Sequence, residues 1–319
     1  MAPMEKSLSG LLSNFAMSAL MPVLPKDDLS YWVGRLVHQK LPDPVRLASM
    51  EAFVKAYGIN MSEAELPLEA YKSIGDLFTR KLKEDIRPLG MGLVHPCDSK
   101  IAEAGPVKDG KLTQVKGVTY SCEELLQNQA AADLFKDCTF ATYYLCPTDY
   151  HRVHIPMDVS VEEVIHIPGA FWPVNQWSVS NVPKLYAINE RVAMIFRTDQ
   201  GERLALVMVA ATNVGAITCS FEPRINSTIR KSGRSITHIH YGGDGMRSSV
   251  ERQDKSILEG PAIHLKKGDE AGIFSMGSSV VMLMDQGLSK RLDLSEKRLA
   301  SLCGQAVKMG QSLIPAVWA

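Results

Sequence analysis

Hydrophobic and polar positions follow two different periods along this chain, and the change falls near residue 91. Before it the spacing is helical. Leu8, Leu11, Leu12, Phe15 and Ala19 make one apolar stripe in an uncharged segment over residues 7–25, with Ser9, Ser13 and Asn14 on other faces. Pro22 and Pro25 end that segment. Further helical patterning runs through residues 44–57 and 68–83 and stops before Arg87-Pro88. Beyond it, runs rich in Val and Ile at 161–167, 191–198, 203–210, 214–221, 236–241 and 280–284 predict strands, with Asp199-Gln200-Gly201-Glu202 as a hairpin connection. Ser121-Cys122-Glu123-Glu124 has the form of a capping box and opens a helix to about Leu134. A helical tail is predicted over residues 294–307. The expectation is an α+β chain: a helical front over residues 1–90, then a mostly antiparallel β domain over residues 91–319 that ends in a helix.

Charge narrows the function classes. The 35 Lys and Arg balance the 35 Asp and Glu, which removes any electrostatic pull toward nucleic acid. Membrane affinity would have to come from apolar side chains. No stretch reaches the roughly 18 consecutive apolar residues that a spanning helix needs. The stripe at 7–25 suits either a membrane interface or packing on its own domain. Glu5 and Lys6 cancel, so the segment lacks the basic lead of a signal peptide. The six cysteines (Cys97, Cys122, Cys138, Cys146, Cys219, Cys303) include no CxxC pair, against zinc ribbons and thioredoxin-like chemistry. They read as reduced, mostly buried thiols of a cytosolic protein.

Three clusters carry candidate chemistry. In Lys267-Gly268-Asp269-Glu270-Ala271-Gly272-Ile273-Phe274-Ser275-Met276-Gly277-Ser278-Ser279, the Gly277 carbonyl is open to attack because glycine has no Cβ. Ser278 carries a hydroxyl within reach of it, although Gly-Ser is also an ordinary turn. In Asp149-Tyr150-His151-Arg152-Val153-His154-Ile155-Pro156, the two histidines share a face on a helix but not on a strand. No acidic or cysteine partner sits at ligand spacing, so a structural role competes with a chemical one. Val94-His95-Pro96-Cys97-Asp98-Ser99-Lys100 offers an acidic residue in a turn-like setting. His238 and His240 share one face of the strand at 236–241, which suits a surface or structural role better than metal ligation.

Together these segments resemble the phosphatidylserine decarboxylases. The Gly277-Ser278-Ser279 stretch is similar to that family's processing site, the double-histidine segment to its histidine signature, and His95-Pro96-Cys97-Asp98 to its aspartate motif. Gly169–Trp172, Val174-Asn175, Asn181-Val182-Pro183, Asn189-Glu190-Arg191-Val192 and Asp76-Leu77-Phe78-Thr79-Arg80 also fit, so the likeness covers nearly the whole chain and points to the bacterial form. One departure is Ser279, where the family usually has Thr.

The resemblance implies that Asp98, His154 and Ser278 act as a self-cleaving triad on the Gly277-Ser278 bond. It implies a β chain of residues 1–277 and an α chain from position 278 that begins with a pyruvoyl group made from Ser278. That covalent cofactor would form a Schiff base with phosphatidylserine and release phosphatidylethanolamine after loss of carbon dioxide, with His151 as the proton donor. No metal is implied. The implied setting is peripheral, on the cytoplasmic face of the cell membrane, with the 7–25 stripe in contact with lipid. Dimers are common in the family, so a homodimer is among the implied partners, although nothing in the residues derives one. The rival readings are a Ser-His-Asp hydrolase of lipid esters, a non-catalytic phospholipid-binding protein, and a pyruvoyl enzyme for a free amino acid. The first lacks a G-x-S-x-G elbow around Ser278, and the last leaves the apolar N-terminus unexplained.

Overall fold

The computed structural model describes residues 35–115, 117–212, 216–226, 235–242, 255–275 and 278–314, with main chain alone at 176, 226, 255, 256 and 278. The stripe at 7–25 and Gly277 lie outside the described residues. Helix α1 (Asp43–Tyr57) starts at Pro42 and stops at Gly58, whose φ of 63° gives the left-handed turn that glycine accepts without strain. One-turn 3₁₀ helices at Met61–Glu63 and Leu68–Ala70 lead to α2 (Ile74–Phe78). Met50, Tyr71 and Leu77 form a small core of their own between these elements.

Strands β1 (Ser99–Pro106), β2 (Lys111–Val115) and β3 (Val118–Ser121) precede helices α3 (Cys122–Leu126) and α4 (Gln129–Leu134). Next come β4 (Thr139–Leu145), β5 (Arg152–His154) and β6 (Val159–Ile167), then α5 (Gln176–Asn181) and α6 (Leu185–Ile188). Strands β7 (Arg191–Arg197), β8 (Arg203–Ala210), β9 (Ile217–Cys219), β10 (Glu222–Asn226), β11 (Ile236–Tyr241) and β12 (Lys255–Gly260) follow. The chain closes with β13 (His264–Leu265), β14 (Glu270–Phe274), β15 (Ser278–Met284), α7 (Gln286–Arg291), α8 (Glu296–Leu302) and β16 (Ala306–Val307).

Ten strands form the main sheet in the order β12-β11-β6-β7-β8-β15-β4-β1-β16, with β13 paired to β6. A second sheet runs β10-β9-β14-β5, and β2-β3 is a separate hairpin. All pairings are antiparallel except β11 with β12. The α+β expectation with a mostly antiparallel core therefore holds. Strands β7, β8 and β15 are apolar on both faces, and Val280–Met284 is wholly buried. That explains why they read as continuous hydrophobic runs instead of alternating ones.

Three helix expectations need correction, each because a local signal interrupts the pattern. The run at 68–83 yields a 3₁₀ turn and five residues of α-helix, because the extended Ser73 caps α2 by accepting from the Asp76 N–H. The capping box at Ser121 is present, but Gln127 turns left-handed and Asn128 caps a second helix, so residues 122–134 form two helices. The tail at 294–307 is helical only over Glu296–Leu302. Gly304, at φ 83°, turns the chain so that Ala306–Val307 pairs with β1. In the run at 214–221, positions 214 and 215 lie outside the described residues, and among the rest β9 covers Ile217–Cys219. Among the described residues no helix is long and apolar enough to cross a membrane.

Candidate active site

Antiparallel register gathers the candidate residues at one end of the main sheet. Ser278, the first residue of β15, pairs with Leu145 at the end of β4 and with Ala210 at the end of β8. Tyr144, beside Leu145, pairs with Lys100 at the start of β1, so Asp98 enters the sheet at that same end. The chain leaving β4 turns through Cys146–Asp149, where the Asp149 carboxylate and main chain both close the turn on Cys146. It then runs into β5, which pairs with β14, the strand leading to Gly277-Ser278. Two main-chain bonds knit the pieces together: Phe274 N–H donates to the His151 carbonyl (3.1 Å), and His154 N–H donates to the Pro96 carbonyl (2.8 Å).

Asp98 is 1% exposed and is held by cations. Arg87 donates to both carboxylate oxygens at 3.0 and 2.7 Å, Lys308 Nζ donates at 3.0 Å, and the Met309 N–H at 2.9 Å. Arg87 also donates to Glu63 at 2.6 Å. Burial alone would raise the Asp98 pKa, but Arg87, the Met309 N–H and Lys308 outweigh it and keep the group below the ordinary carboxylate range. Asp98 is therefore a fixed anion. Its oxygens make no hydrogen bond to His154 among the described contacts. Its charge reaches that ring only through space, favouring the protonated form.

Both histidines of the signature are fixed by main-chain carbonyls. His154 Nδ1–H donates to the Gly268 carbonyl (2.8 Å), so Nε2 carries the lone pair and accepts from the Tyr150 hydroxyl (3.1 Å). The two rings stack at 5.6 Å. Burial lowers the His154 pKa, against the opposing pull of the Gly268 carbonyl. His151 Nδ1–H donates to the Asp149 carbonyl (2.9 Å), and its ring packs 3.9 Å from Phe78. His151 is wholly buried, and its Nε2 meets no partner among the described residues. Burial drives its pKa down to about 3, so the ring is neutral and presents a bare lone pair. That orphan acceptor, beside the strand that leads to Ser278, suits a site that takes a polar reactive group.

Sequence reasoning did not single out Tyr150, Arg80 or the cations on Asp98. Arg80 is 5% exposed, and only its Nη2 is satisfied, by the Thr148 carbonyl at 3.2 Å. Nε and Nη1 have no partner among the described residues. Its position in the Asp76–Arg80 motif was the available signal. His95, from the aspartate motif, instead serves the core: Nδ1 meets the Tyr143 hydroxyl at 3.1 Å, and burial holds its pKa at about 4. A cavity of about 470 Å³ adjoins the same end of the sheet, lined by Lys100, Tyr144, Val174, Asn175, Val179 and Tyr186 among others.

Comparison with known proteins shows the family. A family model described as phosphatidylserine decarboxylase matches residues 74–315. A phosphatidylserine decarboxylase proenzyme of Anaeromyxobacter sp. (strain K) is 37% identical over 294 residues, covering 91% of this chain and 95% of the relative. Proenzymes of the same name from Vibrio parahaemolyticus and Shewanella sp. (strain ANA-3) are 38% and 40% identical. They cover 82% and 83% of this chain, and each match spans 86% of the relative. The chain is thus a member of the phosphatidylserine decarboxylase family, a group of carbon–carbon lyases.

Proposed function

We propose that the chain is a proenzyme that cuts its own Gly277-Ser278 bond and then decarboxylates phosphatidylserine to phosphatidylethanolamine. The single observation that carries this reading is the convergence of β1, β4, β5, β14 and β15 on one end of the fold. That convergence brings the segment ahead of Ser278 alongside the double-histidine segment and the Asp98 loop. Membership of a family whose relatives are named as proenzymes adds support.

In the cleavage step the Ser278 hydroxyl oxygen attacks the Gly277 carbonyl carbon. His154 Nε2 takes the hydroxyl proton, since the Gly268 carbonyl holds the other nitrogen as N–H. The Tyr150 hydroxyl occupies that lone pair at rest, so it either relays the proton or swings aside. The Ser278 nitrogen leaves Gly277 as an amine, and the chain is joined by an ester. Loss of the Ser278 α-proton then breaks the Cβ–Oγ bond, and the Gly277 carboxylate leaves carrying the former side-chain oxygen. A dehydroalanine remains, which tautomerises and takes up water to lose ammonia. The resulting pyruvoyl ketone supplies the electron sink for decarboxylation. Asp98 provides a fixed negative charge for the imidazolium that forms on His154.

In turnover His151 Nε2 delivers a proton to the carbon that has lost carbon dioxide. With its pKa at about 3 it must first be charged, and an anionic substrate beside it would favour that. The cavity beside Tyr144 and Val174 is suited to a largely apolar substrate. The domain reading assigns residues 1–90 to lipid contact and 91–319 to catalysis, on the cytoplasmic face of the membrane. Partners within this reading are the chain's own two processed pieces and a second copy as homodimer. Intact mass spectrometry tests the whole scheme. The wild-type protein should give two chains, the smaller lacking an amino group at its start, and Ser278→Ala should give one inactive chain. An unbroken wild-type chain with decarboxylase activity would overturn the mechanism.

A further inference from the structure

A second constellation of ligating side chains lies in the main sheet, away from Ser278. Strand β11 runs antiparallel to β6, with His240 directly opposite Glu163 and His238 opposite Ile165. Residues two apart on a strand share a face, so both imidazoles stand on the Glu163 side, with their rings nearly parallel at 6.3 Å. A β-bulge between Val161 and Glu163 interrupts the register of β6 with β7 at this point, the kind of irregularity that re-aims a side chain. His238 Nδ1 lies 2.7 Å from Glu163 Oε1, and His240 Nε2 lies 3.7 Å from the same oxygen. Asn128 Nδ2 donates to the other oxygen at 2.7 Å and holds the carboxylate in place. Glu163 and His238 are 3% and 1% exposed, whereas the His240 side chain is 11% exposed and gives access from outside.

A hydrogen-bonded structural role accounts for one histidine and leaves the other unexplained. His240 points Nε2 at the carboxylate from beyond hydrogen-bond length, and neither His238 Nε2 nor His240 Nδ1 has a partner among the described residues. One ligand atom from each of the three side chains lies within 4.8 Å of the others. A zinc-class ion bonded at about 2.0–2.2 Å to two such atoms in tetrahedral geometry separates them by roughly 3.4 Å. The His240–Glu163 gap, at 3.7 Å, is near that value, and the His238–Glu163 contact, at 2.7 Å, would open by about 0.7 Å as the side chains turn to share the ion. We propose that Glu163, His238 and His240 bind one first-row divalent cation of the zinc class. Two imidazoles and a carboxylate favour zinc or cobalt over magnesium or calcium. Both supporting strands belong to the sheet, and β7 and β8 separate β6 from β15, so the ion clamps β11 to β6 and takes no part in the lyase chemistry.

The test uses full-length protein stripped with a chelator and titrated with cobalt(II) and then zinc(II) alone. Wild type should bind one equivalent with the visible absorption of tetrahedral cobalt, zinc should displace it, and zinc should raise the thermal midpoint. His240→Gln, at the most accessible of the three ligands, should weaken binding by at least about 100-fold while unfolding cooperatively near the metal-free wild-type midpoint. His240→Cys should restore binding and add a thiolate–cobalt charge-transfer band. Absence of stoichiometric binding in wild type would overturn the proposal. So would unchanged binding in His240→Gln, which would move the ion to the thiols or another histidine.

Discussion

Two pairs of histidines, each with one ring buried and the other partly so, sit in different parts of this molecule and are wired in opposite ways. His151 and His154 each give Nδ1–H to a main-chain carbonyl, of Asp149 and of Gly268. His238 and His240 instead both address one carboxylate, that of Glu163. A neutral carbonyl fixes the tautomer without adding charge, so burial keeps the ring neutral and its other nitrogen basic. A carboxylate attracts either a proton or a cation to the space between the groups. Similar side chains are thus suited to act as bases at one place and, under the proposal above, as ligands at the other, and the acceptor makes the difference.

The largest test of that contrast is His154→Gln, which keeps polarity but removes the basic nitrogen. Self-cleavage should slow by about 10³-fold or more, read as the ratio of cut to uncut chain over time. Next is His151→Gln. It should still be cut, yet turn over the lipid about 100-fold or more slowly. The same variant sharpens the burial argument through pH. Below about 6.5 an unfolded chain protonates its histidines, whereas native His151 and His95 stay neutral down to about 3 and about 4. The unfolded state then binds more protons, so stability falls as pH is lowered through that window, by about 1.4 kcal/mol per pH unit for each group. Denaturant titrations from pH 7 to pH 4.5 should show His151→Gln losing one group's share of that slope. Arg87→Met acts on stability instead of rate, because it leaves buried Asp98 with fewer counter-charges. It should cost about 3 kcal/mol in stability by chemical denaturation.

Much of this was legible in the residues. The β domain announced itself because strands β7, β8 and β15 are buried on both faces and need uninterrupted apolar runs. Strand β1 was invisible, since Ser99–Pro106 mixes Lys, Glu and Gly and is specified by its pairing with β4 and β16. The long helices read from residues 68–83 and 122–134 were broken by caps at Ser73 and Asn128, which the periodicity does not register. Within the candidate site, motif order named Asp98, His151, His154 and Ser278 as candidates. It could not supply their wiring, because Gly268 and Asp149 act through main-chain carbonyls that any residue type would offer. Lys308, on Asp98, lies 210 positions away in sequence. Likewise Glu163 becomes the neighbour of His240 only through strand register.

Strand β15 carries one more consequence. From Ser278 to Met284 it is laced on both long edges, to β4 and to β8, in the middle of the ten-stranded sheet. A nick just upstream would therefore release no subunit: the shorter piece is stitched in as an interior thread whose removal means tearing the fabric on either side. Such a piece could be added to the longer one only by refolding both together, so each molecule should keep for life the fragment it was born with.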